Sequence, residues 1–590
     1  LSFQEVANGL DATMSANSIT FGGYTPNIKE IENLFGSLYS DTLRGDNTNN
    51  TLHGYDGDDV IYGTAGNNFL IGGQGDDTLH GGSGVDKYDG GDVSIGTFYT
   101  SSGIHGNNTI SFYYAPKGIN IDLGFVNNDA ILSDGTIGRV IDDGYDNVET
   151  YLRNINNIIG TSNYSDILKG NSDKNIISGL GGHDTIYGIG GENTLYGGTG
   201  NDTIYTATSK VAGQRGDVVY GGQGTDTLVG SFNKDFLIGG EEENNADVET
   251  DWIDYSNLVL GTNDYGISVN LQQTINFTDN TDRTYLNGNY SQVFRLDTNG
   301  TNTLNFDYIS QIENIRGTNG IDLLMGKHGE NNSIMAGAGN DTIFLSTGIN
   351  HIDGEAGSNW ISLQNMSGAI SNFDLANNNA GDSKIYNIQN VIDFNGIRNQ
   401  TVWGSNSDNI FIMHGGNDHV LSRGGNNIVD LGAGDDRVAN NYGVDTLIGG
   451  AGQDTIDMYN NLGANQGARV IFNSITAADY NSLATGIGSL TLSNQTVSIH
   501  SITVEGLDTL SDGSHNFYRI TDGRGNYDYL YQNGTSPDFE QFLMTNYADT
   551  FVGSNNSDTV SGYSGNDTIW AMSGNDSIYG DAGDDTIFGV

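Results

Sequence analysis

Apolar residues recur along this chain at a fixed spacing, set between runs of Gly, Asn and Asp. From Gly36 the sequence reads GSLYSDTLR, GDNTNNTLH, GYDGDDVIY, GTAGNNFLI, GGQGDDTLH, GGSGVDKYD, a period of nine without a gap. Gly opens each unit, Asp or Asn holds the sixth place, and Leu, Ile or Tyr the eighth. The pattern predicts a six-residue turn followed by a three-residue strand. Successive strand side chains point to opposite faces, so the eighth place faces inward and the seventh and ninth face out. Leu43, Leu52, Ile61, Leu70 and Leu79 are the expected core of this block. Gly supplies the left-handed conformations that such turns require. One unit cannot bury its apolar residue alone, whereas stacked units can, so a solenoid held by neighbour contacts is expected.

The pattern returns at Thr161–Tyr205, Gly221–Ile238, Gly317–Ser362, Gly404–Asp457 and Met544–Phe588. The intervals carry period-two alternation, which reads as strand. They open on Asn108–Phe112, Asp251–Tyr255 and Asn359–Leu363, and continue with Gly118–Leu123, Gly266–Leu271 and Ala369–Leu375. A lead-in strand to the next block follows at Ile31–Gly36, Ile155–Gly160 and Ile312–Gly317. Only Glu30–Phe35 and Pro537–Met544 suggest a helical turn. The expected organisation is a β-rich lead-in at 1–35 and repeat blocks at 36–91, 161–241, 317–362, 404–457 and 544–590. Between them lie β connectors at 92–160, 242–316 and 363–403, and a less regular segment at 458–543 that suits a small inserted subdomain or a hairpin.

The units resemble the haemolysin-type nonapeptide of RTX proteins, G-G-x-G-x-D-x-U-x. The match is best at Gly72–His80 (GGQGDDTLH), Gly197–Tyr205 (GGTGNDTIY) and Gly449–Asp457 (GGAGQDTID), and the resemblance covers about half the chain. It implies an all-β class: right-handed parallel β-roll or β-solenoid modules, two nonapeptides to a coil, joined by short β-rich segments. It also implies calcium between successive turns, held by the sixth-place Asp and turn carbonyls, hard oxygen ligands that suit this ion. On this sequence, multiple calcium ions would be held by Asp41, Asp59, Asp77, Asp86, Asp166, Asp184, Asp202, Asp226, Asp235, Asp322, Asp341, Asp418, Asp436, Asp445, Asp454, Asp549, Asp558, Asp567, Asp576 and Asp585. Export by type I secretion is implied too, and with it an extracellular or bacterial cell-surface location. The chain begins without Met and stops inside a repeat, so the native protein is expected to continue.

If alternate units fall on opposite edges of a roll, the sixth places separate by chemistry. In the first roll Asp41, Asp59 and Asp77 share one edge, while Asn50 and Asn68 share the other. The second roll repeats this with Asp166, Asn175, Asp184, Asn193 and Asp202, and the fourth with Asn409, Asp418, Asn427, Asp436, Asp445 and Asp454. The last carries Asp at every sixth place. Calcium is therefore expected mainly along one edge of the earlier rolls, opposite a turn-to-turn ladder of Asn amides. Drift between two residues that both suit turns is the simpler alternative.

Composition narrows the partners. There are 87 Gly, 3 Pro and no Cys, which excludes a disulfide framework and a thiolate metal site. Lys and Arg number 22 against 73 Asp and Glu, a net charge of −51. Phosphate binding needs clustered cations, so nucleic acid is not an expected partner. No apolar run is long enough for a membrane span. Neither a His-Glu-x-x-His run, nor a Gly-x-Ser-x-Gly elbow, nor a phosphate loop ending in Gly-Lys-Ser/Thr occurs, and the chain is not expected to be an enzyme. His53, His80, His183 and His419, and the ninth-place Tyr62, Tyr187, Tyr196 and Tyr205, read as ordinary roll positions. A calcium-dependent structural protein of the cell surface (S-layer, filament or adhesin scaffold) is the expected function. It would assemble with itself, with cell-surface polysaccharide as a further partner. The alternatives are the accessory region of a secreted protease, lipase or polysaccharide-modifying enzyme, and a glycan- or ice-binding module.

Overall fold

The computed structural model describes residues 1–91, 106–124, 138–206, 216–240, 250–258, 260, 265–277, 288–296, 302–457 and 541–589. Breaks fall within these ranges at 16–17, 22, 24–29, 148, 232, 367–369, 371, 394–397, 441–442, 444, 545, 547, 554–556 and 573. Residues 469–471, 490–492, 495–497, 515–521 and 527–533 are also described. Among the described residues every regular element is a β-strand and none is a helix. The chain forms two compact units. The first is Leu1–Leu258 with Thr274–Val293 and Asn305–Asn314, and the second is Val259–Gln273 with Phe294–Leu304 and Ile315–Val590.

In the first unit, consecutive strands of three to six residues pass alternately into two parallel sheets. Thr42 pairs with Val60, and Val60 with Thr78, in one sheet. Thr51 pairs with Phe69 in the other. Partners are two nonapeptides apart, so one coil takes two repeats. Each strand sends one side chain inward. Leu43, Ile61, Leu79, Ile110, Ile158, Ile177, Leu195, Val219 and Leu237 line one sheet, and Leu34, Leu52, Leu70, Leu168, Ile186, Ile204 and Leu228 the other, all at 0% exposure. Burying one such side chain contributes about 1.5–3 kcal/mol, and the gain exists only because the coils above and below cover it. Ile186→Val should cost about 0.5–1.5 kcal/mol in urea unfolding at saturating calcium. An unchanged midpoint would contradict the core placement.

The intervals extend the stack within each unit. Thr109–Ser111 pairs in parallel with both Thr78–Ser83 and Asn157–Ile159, and so carries one sheet onward. The other sheet takes three antiparallel strands, Asn120–Asp122, Gly138–Asp142 and Glu149–Arg153. Glu149–Arg153 pairs in parallel with Lys87–Asp89 behind it, and Asn120–Asp122 with Ile167–Lys169 ahead. Because the insert has an odd number of strands, its outer two run the same way, and the roll resumes with its polarity intact. The second unit uses the same device. Phe373–Asp374, Asn379–Ala380 and Ser383–Tyr386 bridge His351–Asp353 to Thr401–Trp403. Arg469–Ile471, His515–Thr521 and Tyr527–Asn533 bridge Thr446–Ile448 to Thr550–Val552.

Two expectations need correcting. Glu30–Phe35 and Pro537–Met544 do not form helical turns where they are described, since Asn33–Phe35 and Gln541–Leu543 are strands. A single helical turn fixes several dihedrals for one hydrogen bond. The strands instead gain a parallel partner each, Asn33 against Thr51 and Gln541 against Thr559, and bury Leu34 and Phe542. Pro537 to Glu540, and most of the segment 458–543, lie outside the described residues.

Candidate metal sites along the turn edges

Each sixth-place residue sits in its turn just before a strand, with its side chain buried except at Asp576 and Asp585. Its Oδ1 accepts a hydrogen bond from the backbone N–H of the sixth-place residue one coil earlier. In the first roll the Asp41 N–H donates to Asp59 at 2.7 Å, and that of Asp59 to Asp77 at 2.9 Å. On the other edge the Asn50 N–H donates to Asn68 at 2.9 Å, and that of Asn68 to Asp86 at 2.7 Å. The second roll lines up Asp166, Asp184, Asp202, Asp226 and Asp251 on one edge. Asn175, Asn193, Asp217, Asp235 and Asp307 line the other. The second unit aligns Asp322, Asp341 and Asn359, then Asp418, Asp436 and Asp454, then Asn409, Asn427 and Asp445. Its last roll aligns Asp549, Asp567 and Asp585 on one edge, and Asp558 and Asp576 on the other. The all-Asp edge changes sides within the first unit: Asp59 leads into the same sheet as Asn175, and Asp184 into the opposite one.

Oδ1 is thus engaged everywhere, and Oδ2 decides what each turn still lacks. The Oδ2 atoms of Asp59, Asp77, Asp184, Asp202, Asp341, Asp418, Asp436 and Asp567 are buried and have no hydrogen-bond partner. A buried carboxylate oxygen left this way is costly unless a cation meets it. The surroundings supply further hard oxygens. A Cβ placed on Gly72 would fall 2.1 Å from Asp77 Oδ2 and 2.7 Å from the Gly90 carbonyl oxygen. The first-place Gly is therefore required for space. The left-handed backbone belongs instead to the second and fourth places, where Gly73 has φ 126 and Gly75 φ 131.

Burial drives the proton affinity of these carboxyls upward. Desolvation first, and neighbouring carboxylates after it, push Asp59 up to about 9 and Asp341 to about 9. Asp77 and Asp184 rise to about 8 from the same leading cause. Asp418 rises to about 7, and Asp202 and Asp436 to about 6. Among the described residues no three acidic or His side chains gather round one point. Each turn offers one carboxylate, and carbonyl oxygens must complete any ligand set, a mixture suited to calcium.

Several predicted ligands are closed by the protein itself. The Ser37 N–H donates to Asp41 Oδ2 at 2.5 Å, and the Leu10 N–H to Oδ1 at 2.6 Å. Thr161 and Ile119 engage both oxygens of Asp166, and Thr318 and Ile267 both of Asp322. Each of these turns opens a roll, and a Ser or Thr next to the first-place Gly does the closing. At Asp235 the Ser231 hydroxyl donates to Oδ2 at 2.9 Å. At Asp445 the Ser422 hydroxyl donates to Oδ2 at 3.5 Å.

Other positions join the ladders without having been foreseen. Asn108, Asp217, Asp251 and Asp307 stand at sixth-place positions, and of these Asp251 and Asp307 lack the Gly-rich turn that marks the motif. What they share is an acid or amide followed by a short apolar strand: Asp217-Val-Val-Tyr, Asp251-Trp-Ile-Asp, Asp307-Tyr-Ile-Ser. An outer ladder runs at the fifth place in the opposite sense. There the Asp76 N–H donates to Asp58 at 2.9 Å, and the Asn201 N–H to His183 Nδ1 at 2.7 Å. The ninth-place aromatics stack from coil to coil: Tyr62 on His80 at 4.4 Å, Tyr187 on Tyr205 at 4.6 Å, and Tyr196 on Tyr220 at 5.2 Å. His80 is held to about 4 by burial, then by Arg44, and is neutral at physiological pH.

A family model described as the RTX calcium-binding nonapeptide repeat (4 copies) matches at 35–70, 62–93, 160–188, 187–207, 211–244, 311–343, 328–361, 403–438, 440–457, 545–576 and 561–589. The chain belongs to the RTX calcium-binding nonapeptide-repeat family. No curated protein matches the chain. As an RTX-repeat protein it is an all-β parallel β-roll that binds several calcium ions. The matched ranges contain all eight buried, unpartnered carboxylates named above. No helix among the described residues is long and apolar enough to cross a membrane.

Proposed function

We propose that this RTX-repeat chain is an extracellular scaffold of the cell surface that folds and assembles on binding calcium, and that it is not an enzyme. The observation that carries this reading is the continuity of the stack within each unit. The intervals between matched repeats are spent on strands that pair in parallel with the rolls on either side, as Asn120–Asp122 and Glu149–Arg153 do. Among the described residues these inserts extend the length of the stack. The charge of −51 supports the same reading. A metal-free chain repels itself and its copies, and calcium removes that repulsion.

Asp59, Asp77, Asp184, Asp202, Asp341, Asp418, Asp436 and Asp567 would hold the ions with turn carbonyls. The ion supplies the positive charge that their buried Oδ2 atoms lack. Because the site exists only when coils are stacked, binding free energy is folding free energy. Calcium added to the chelated chain, followed by light scattering and negative-stain microscopy, should produce sheets or filaments as β-structure forms. A folded chain that stays monomeric would contradict the assembly reading.

A further inference from the structure

Sixth-place Asn residues close their turns in a way that the Asp residues do not. In Asn68, Oδ1 takes the usual ladder bond from the Asn50 N–H at 2.9 Å. Its Nδ2 donates to the carbonyls of Ala65 at 3.3 Å and Gly66 at 3.1 Å, in its own turn. Asn193 does the same with Gly188 at 3.1 Å and Gly190 at 2.7 Å. Asn427 reaches Gly424 and Gly425, both at 3.3 Å. Asn332 reaches Lys327 at 2.9 Å and Glu330 at 3.0 Å, Asn350 reaches Ser346 at 2.8 Å, and Asn359 reaches Gly354 at 2.7 Å. The atom in this position on Asp59, Asp77, Asp184 or Asp202 is the buried Oδ2 with no partner. An amide NH2 and a bound cation answer the same need, since turn carbonyls gather round a positive charge or round N–H donors.

We infer that the sixth-place Asn amide is a fixed substitute for calcium, so that a turn is ion-closed where its Asp Oδ2 has no protein partner and self-closed where an Asn Nδ2 meets the turn carbonyls. The ladder does not rest on amide-to-amide bonds, although Asn332 Nδ2 also donates to Asn350 Oδ1 at 2.9 Å. The repeated unit is one backbone N–H to Oδ1 bond, and the remaining atom of the side chain selects the closure. Asn68, Asn193, Asn332, Asn350, Asn359 and Asn427 then mark turns that stay closed at low calcium. The turns at Asp59, Asp77, Asp184, Asp202, Asp418 and Asp436 close only on loading. The last roll has no sixth-place Asn among Asp549, Asp558, Asp567, Asp576 and Asp585, so it is the part most dependent on the ion.

This inference rests on the calcium-scaffold reading, and two substitutions in the full chain separate them. Asp59→Asn should lower the number of calcium ions bound at saturation, read by isothermal titration calorimetry. It should also raise the urea midpoint of the chelated chain. Asn68→Asp should raise the ion count and lower the chelated midpoint, with wild-type β-structure restored at saturating calcium. A wild-type chain that binds calcium, with both variants matching it in ion count, would overturn the inference and leave the scaffold reading standing. A lower chelated midpoint for Asp59→Asn would overturn it too. A wild-type chain that binds no calcium would overturn both.

Discussion

Asp59→Ala is expected to destabilise the first roll by about 4–6 kcal/mol in saturating calcium. Two losses add. The Asp41 N–H donates to Asp59 Oδ1 at 2.7 Å in a buried position. Stranding that donor costs about 1–3 kcal/mol. The ion-binding Oδ2 also goes, and an ion at a hundredfold excess over its dissociation constant contributes about 2.7 kcal/mol. Only the second loss depends on calcium, so the cost should shrink as calcium is lowered. Asn68→Ala strands the Asn50 N–H and frees the carbonyls of Ala65 and Gly66, with no ion involved. Its cost should not vary with calcium. Urea unfolding by circular dichroism at several calcium concentrations checks both. Equal calcium dependence in the two variants would contradict the assignment of the Asp edge.

The metal-free chain is expected to lose stability as pH rises, opposite to most acidic proteins. Asp59 and Asp341 are pushed to about 9 by burial, Asp77 and Asp184 to about 8, and Asp322, Asp418 and Asp445 to about 7. Asp86, Asp166, Asp202 and Asp436 stand at about 6. In each the folded carboxyl holds its proton more tightly than the unfolded one at 3.8, so the folded state binds more protons. The stabilisation is complete below about pH 4 and is lost progressively as pH passes through the folded values. Between pH 5 and pH 9 the chelated chain should lose β-structure and its urea midpoint should fall. Calcium should abolish that trend, because an ion replaces the proton and releases it. A chelated chain that gains stability over the same range would contradict the buried, cation-seeking state of these carboxyls.

Much of this was legible in the sequence because the nonapeptide writes core and edge at fixed places. The eighth-place residues, Leu43 to Leu79, are fully buried, and the spacing alone puts them on one face. The grouping of Asp59 with Asp77 and of Asn50 with Asn68 follows from two units to a coil. What was not legible depends on partners outside the unit. Asp41, Asp166 and Asp322 fit the motif as well as Asp59 does, yet Ser37, Thr161 and Thr318 close them. The fifth-place ladder escaped notice because its residues (Ser40, Asp58, Asp76) vary in type and share only a side-chain acceptor. Asp251 and Asp307 were missed because strands reach them across long intervals, without the Gly turn. Of the three-stranded inserts, alternation marked only one strand in each of the first two, within Gly118–Leu123 and Ala369–Leu375, and the pairing is a long-range choice that alternation does not encode.

Calcium titrated into the chelated chain at pH 7.5, followed by far-UV circular dichroism, tests the central claim most directly. The account predicts a cooperative gain of β-structure, with a midpoint near about 10⁻⁴–10⁻³ M, the range of extracellular calcium modules. A chelated chain that already shows its full β-spectrum, or one that does not respond to calcium, would contradict it.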